Sequence, residues 1–214
     1  MDIEANRAAL EAWLILLRAP GLGAVSLREL LAAHGDARAA LAAARRGDHP
    51  RARDSGCRDW LRAPDAVRIE SDLAWLAQPA HALLTCDGVD FPALLDEVPA
   101  APAALFVAGD SAALWQPQVA IVGSRNATQG GSANADAFAR ALATAGFAIT
   151  SGLAEGIDTA AHVQGSRTSG SIRAATNFTR TRQTLDADSR GSSKRFIALH
   201  PLPSALIRVG SYCP

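Results

Sequence analysis

Cysteine is scarce in this chain, long apolar runs are missing, and neither sign of charge is in excess. Cys57, Cys86 and Cys213 are widely spaced and no CxxC occurs, which excludes a disulfide framework and a zinc site. The five histidines are scattered, which argues against a metal cluster. No apolar run approaches the ~20 residues that cross a membrane. The start, Met1-Asp2-Ile3-Glu4, is acidic and lacks a signal-peptide pattern, so a cytoplasmic protein without a membrane partner is expected. With 214 residues there is room for one or two domains with a sizeable core.

The net charge of zero hides an uneven distribution. Lys+Arg against Asp+Glu count 11 and 11 over residues 1–78, 2 and 8 over 79–165, and 8 and 2 over 166–214. A nucleic-acid binder normally shows a basic footprint, and the middle segment does not.

That middle segment nevertheless carries the most organised stretch. The apolar run Val119 to Val122 stops at Gly123-Ser124-Arg125 and fits a buried strand of a parallel sheet. Ala133 to Ala145 reads as a helix, with Ala135, Phe138, Ala139 and Leu142 at helical spacing and Gly146 at its stop. Phe147 to Thr150 is again strand-like. Ser151-Gly152-Leu153-Ala154 then leads into a short helix carrying Asp158 and His162. Strand, glycine turn, helix, twice over, is the pattern of a Rossmann-like α/β sheet.

In such a sheet, ligands meet the carboxyl ends of the strands. Glycine permits close backbone approach, and free amides with a helix dipole favour an anion. Arg125 adds a planar fork of donors suited to phosphate. Ser124 and Ser151 offer hydroxyls to the same anion, or cap the following turns. Asp158 and His162, four apart, have the spacing of an acid–base pair, but their expected role is to orient the glycine turns through hydrogen bonds. Glu155 beside the turns would repel phosphate. Gly123-Ser124-Arg125 lacks G-x-G-x-x-G spacing, which disfavours a dinucleotide dehydrogenase.

The wording is more specific than the pattern. Ile121-Val122-Gly123-Ser124-Arg125, followed by Ser151-Gly152-Leu153-Ala154-Glu155-Gly156-Ile157-Asp158 and Ala161-His162, resembles the DNA-processing protein A (DprA/Smf) family. So do Phe91-Pro92-Ala93-Leu94-Leu95 and Leu105-Phe106-Val107-Ala108-Gly109-Asp110. The resemblance implies an extended Rossmann fold that binds single-stranded DNA and helps load the RecA-type recombinase in natural transformation. It implies no catalysis and no cofactor, and it implies a homodimer formed through the sheet domains. Gly123, Ser124, Arg125, Ser151 and Gly152 are the expected nucleic-acid contacts. Gly156, Asp158 and His162 are expected to maintain the motif.

Ahead of the sheet, residues 1–78 read as a small all-helical domain of the SAM or helix-hairpin-helix kind. Leu10, Trp13, Leu14 and Leu17 share a face, Ala19-Pro20-Gly21-Leu22-Gly23 breaks the helix, and Leu27, Leu30 and Leu31 mark the next one. The hairpin amides are a candidate phosphate site, although the bland reading is a turn that needs glycine, with Leu22 a plug into its own core. Gly47 to Gly56 reads as a solvated loop, and Asp65 to Leu76 as a helix with Val67, Ile69, Leu73 and Leu76 partly on one face. His81 to Thr85 and Ala104 to Val107 read as strands extending the sheet of residues 79–165.

From Ser166 the chain turns to serine, threonine and arginine without clear period, and the family's continuation is not legible. The 166–214 tail is therefore expected to be disordered or foreign to the family, as if the frame shifted or the protein were truncated near Gly165. Phe196 to Leu199 and Ala205 to Val209 are its two strand candidates. A sheet cut there exposes an edge, which predicts marginal stability and aggregation. Three functional classes follow: a DNA-binding recombination mediator, a nucleotide- or phosphate-ligand Rossmann enzyme, and a remnant without activity.

Overall fold

The computed structural model describes residues 3–152, 154–165, 171–175 and 206–210. Five helices come first: α1 (Ile3–Leu17), α2 (Ala24–His34), α3 (Ala37–Arg46), α4 (Ser55–Arg62) and α5 (Ala66–Leu76). Their starts are set by local chemistry. The Asp36 carboxylate accepts the amides of Arg38 and Ala39 at 2.8 and 2.9 Å, and Asp65 caps Val67 and Arg68 in the same way.

The expected face of α1 is widened, because everything from Ala12 to Leu17 is buried. Leu22 is buried as the plug, beside Leu27, Leu30 and Leu31 of α2. Residues 47–56 are not a plain loop, because a 3-10 turn (Pro50–Arg53) and the first residues of α4 occupy them, with Ala52 and Cys57 turned into the core. Val67 is 79% exposed: Asp65 starts the helix so that Ile69, not Val67, faces inward.

The helical core is not closed on itself. It continues into Ala103, Ala104 and Phe106, and Trp75 lies edge-on to Phe106 with centroids 5.9 Å apart. The Arg28 side chain donates to the carbonyls of Ala101 and Pro102 and pairs with Asp96 at 2.6 Å. Just past the end of α1, the buried Arg18 guanidinium clasps the buried Asp72 carboxylate of α5. A pair so deeply desolvated is costly to break from one side.

The sheet contains β1 (His81–Thr85), β2 (Ala104–Ala108), β3 (Gln118–Ala120), β4 (Ala148–Ser151), β5 (Ser171–Ala175) and β6 (Leu206–Gly210), in the order β1-β2-β6-β5-β4-β3. β3, β4 and β5 run parallel, as do β2 and β6, while β1 with β2 and β5 with β6 are antiparallel. The sheet is thus α/β and Rossmann-like on one side but mixed overall. Its last two strands come from the segment whose sequence shows no period. β6 nearly coincides with the second strand candidate, while Phe196 to Leu199 lies outside the described residues.

α6 (Ala93–Asp96) links β1 to β2, α7 (Gln129–Thr144) follows β3, and α8 (Ile157–Gly165) follows β4. β2 is buried throughout, as a central strand should be. β3 is not: it is the outer strand of its side, and only Val119 within it is half-buried. Ala135, Ala139 and Ala143 of α7 are buried, and the last two cluster with Ile149 and Ala161. Small residues let α7 and α8 approach closely. Phe138, expected in that core, is instead 65% exposed, and Val122 after β3 is 68% exposed.

Candidate nucleic-acid interface

Two loops leave the carboxyl ends of the parallel strands β3 and β4 and meet over the start of α8. The first is residues 121–128. It begins in sheet register, with Ile121 N–H donating to the Thr150 carbonyl at 2.9 Å, and ends at Thr128, whose hydroxyl accepts Gly131 N–H at 3.1 Å. That cap carries α7 four residues further back than helical periodicity suggests, across Gly130-Gly131. The second loop is residues 152–156, of which 152 and 154–156 are described.

Asp158 joins the two. Its carboxylate, only 4% exposed, accepts Gly152 N–H at 3.0 Å and Gly123 N–H at 3.3 Å, with Ala154 N–H at 3.5 Å. Gly123 must be glycine because a Cβ there would stand 2.8 Å from Ile157 Cγ1. Gly156 is required twice over. Its φ of +83° favours glycine, and a Cβ would collide with the carbonyl oxygens of Ser124 and Arg125. Ile157 N–H donates to the Ser124 carbonyl at 3.2 Å, so α8 begins by holding the first loop.

This geometry changes the reading of the glycine turns. The amides of Gly123 and Gly152 point inward to a carboxylate of the protein and are not open to an external anion. Ser151 is buried at 2%, which removes its hydroxyl from the surface set. Asp158 and His162 do share one side of α8, but both are buried, so the pair does not face a substrate. What remains outward is Ser124, Arg125, the start of α7 and exposed Glu155. Ser124 Oγ accepts Asn126 N–H at 3.2 Å and keeps its own hydrogen to donate. Arg125 is exposed and meets no carboxylate among the described residues. The first turn of α7 holds no acidic side chain, and its leading amides are of the kind a helix leaves unsatisfied.

Sequence reasoning placed Gly123, Ser124, Arg125, Gly152, Gly156 and Asp158 in one region, and the fold brings them together. It missed Thr128, whose spacing to Gly131 is that of an N-cap and was legible as such. Among the described residues no group of His, Cys, Asp and Glu has the arrangement of a metal site, and no helix is long and apolar enough to cross a membrane.

Comparison with known proteins adds the following. Residues 82–177 match the family described as DNA recombination-mediator protein A, and residues 7–71 match the DprA-like N-terminal HHH domain. The first match therefore runs past Gly165, where the legible motifs end. Protein Smf of Escherichia coli (strain K12) is 47% identical over 94 residues, which cover 44% of this chain and 25% of that protein. Protein Smf of Synechocystis sp. is 42% identical over 83 residues, covering 37% and 21%. The matched segment thus spans a quarter or less of these curated relatives. The X-ray structure of DNA processing protein A from Streptococcus pneumoniae superposes with a TM-score of 0.52 over 78% of this chain and 56% of that one. At 20% identity that likeness is one of fold.

Proposed function

The chain belongs to the DNA-processing protein A (DprA/Smf) family, and from that premise we propose that it binds single-stranded DNA through the loop of Ser124 and Arg125. In this reading the protein acts as a cytoplasmic recombination mediator. It protects incoming strands during natural transformation and hands them to a RecA-type recombinase, without a catalytic step or cofactor, as a homodimer.

One observation carries the reading. Arg125 is an exposed guanidinium without a carboxylate partner among the described residues, on a loop whose backbone is held rigidly from below by Gly156, Ile157 and Asp158. A rigid loop loses little entropy when a phosphate docks, and a guanidinium meets phosphate with two parallel hydrogen bonds. Ser124 Oγ–H and the leading amides of α7 flank the same position. The surrounding segment is acidic, so phosphate contact there depends heavily on this one arginine. The enzyme reading has less support, because the acid–base pair it would use, Asp158 and His162, is turned inward.

The test is fluorescence anisotropy of a labelled single-stranded oligonucleotide, at low and moderate salt, with Arg125→Ala in parallel. Saturable binding that weakens with salt, falls on the substitution and resists competition by mononucleotides is expected. Equal binding by Arg125→Ala would move the interface elsewhere, and competition by a mononucleotide would favour the ligand-binding enzyme.

A further inference from the structure

Arginine is used in two ways on this molecule. Arg7, Arg18, Arg28, Arg68 and Arg140, spread over its length, each meet a carboxylate. Arg45, Arg53, Arg58 and Arg62 meet none among the described residues, and all four are exposed. These four, with Arg46, line a single groove of about 520 Å³ where the end of α3 meets the Pro50–Arg53 turn and α4. Its one acidic lining residue, Asp48, is already paired with Arg46 at 2.7 Å.

Two of the guanidinium groups are held in place without being neutralised. Arg45 Nε donates to the Leu61 carbonyl at 2.9 Å, and Arg53 Nε to the Gly47 carbonyl at 2.8 Å. A carbonyl fixes one edge of the fork and leaves the charge and the other N–H groups outward. Arg58 and Arg62 lie four apart on α4, where like charges repel. The dipole of α3 accounts for Arg45 and Arg46 in its last turn, but Arg53 and Arg58 have no such compensation. Clustered positive charges that repel each other and meet no carboxylate among the described residues are arranged for an external anion.

We infer that this groove binds the phosphate backbone of a nucleic-acid strand, as a second contact beyond the Ser124–Arg125 loop. The inference rests on the reading that the protein engages single-stranded DNA. Phosphates are favoured over an acidic peptide because the lining offers nothing apolar beyond Ala52 for a peptide side chain to bury against. It also differs from the hairpin that the sequence offers as a phosphate site. There Leu22 N–H is spent on the Ala19 carbonyl at 3.1 Å. Asp54 Oδ2 lies 3.9 Å from where a Cβ of Gly21 would stand, and would repel a phosphate. The groove gives the otherwise neutral helical region a basic side.

The test uses the full chain and a labelled oligothymidine, comparing wild type, Arg58→Ala/Arg62→Ala and Arg125→Ala, each checked for an unchanged far-UV circular dichroism spectrum. Each phosphate contact to a single strand contributes about 0.7 to the slope of log K against log salt. Removing two should flatten the slope by about 1.4 and weaken binding about 25-fold at 0.1 M salt. Arg58→Lys/Arg62→Lys should keep most of the slope. Full affinity in the double-alanine variant, with loss in Arg125→Ala, overturns the groove and leaves the loop reading intact. Loss in the double variant with full affinity in Arg125→Ala supports the groove and removes the loop. No binding by folded wild type overturns both. Binding of polyglutamate at the groove with none of oligothymidine also overturns it, in favour of an acidic protein partner.

Discussion

Replacing Asp158 with alanine removes the shared anchor of two loops. Its carboxylate accepts Gly152 N–H at 3.0 Å and Gly123 N–H at 3.3 Å, while the 3.5 Å approach of Ala154 N–H is at the limit of a hydrogen bond. A hydrogen bond to a charged group contributes about 1.5–3 kcal/mol. Taking the shorter bond near the middle of that range, the longer one at a fraction of it and the third as nothing gives about 3 kcal/mol. That is a large part of the roughly 5–15 kcal/mol that holds a domain together. Asp158→Asn keeps one acceptor oxygen and should lose about half as much. The assay is native-state hydrogen exchange at Gly123 and Gly152, beside urea unfolding. A loss of about 3 kcal/mol corresponds to roughly 100-fold faster exchange of both amides if they open locally. Unchanged exchange at both glycines in a folded Asp158→Ala protein would refute the argument that this carboxylate couples the loops.

Three further outcomes follow from the same structure. Gly156→Ala should cost at least about 2 kcal/mol, from its left-handed backbone and the collision with the Ser124 and Arg125 carbonyls, and should weaken oligonucleotide binding too; Gly35→Ala, at φ +89° but in open space, should cost backbone strain alone, about 1–3 kcal/mol in the same urea titration, and leave binding unchanged. Asp72→Ala strands the buried Arg18 charge and should destabilise by about 3–5 kcal/mol, whereas Arg18→Met/Asp72→Leu should be close to neutral; equal losses in both would show that packing, not charge, dominates there. Phe138→Glu, on the exposed side of α7 near Val122, should reduce self-association in light scattering and shift the unfolding midpoint little, and unchanged self-association would clear this face of the charge.

Much of this was legible because it is local. β1 runs over the five residues expected of it, His81 to Thr85, and β2 extends its expected run by one residue. Gly156 and Asp158 stand in the short motif that carries the family resemblance. The errors have a common origin. Helical periodicity assigns Phe138 a buried face, but what buries a face is the element packed on it, and Ala139 and Ala143 meet α8 instead. A short apolar run ending at a glycine reads as a buried strand, yet β3 is at the sheet edge because strand order is set by pairing far along the chain. The aperiodic tail supplies β5 and β6 for the same reason, since backbone hydrogen bonding to a neighbour does not require an apolar period.

The sequence by itself determined the family and the helical and α/β character of the two parts, since these depend on residue type and short spacing. Only the tertiary structure decided which way the loop amides point. Gly123 and Asp158 are thirty-five residues apart, and their contact turns an apparent anion site inward and leaves Arg125 outside. It also decided that arginines scattered from position 45 to 62 share one groove, because the α3–α4 packing, not their spacing in the chain, brings their charges together.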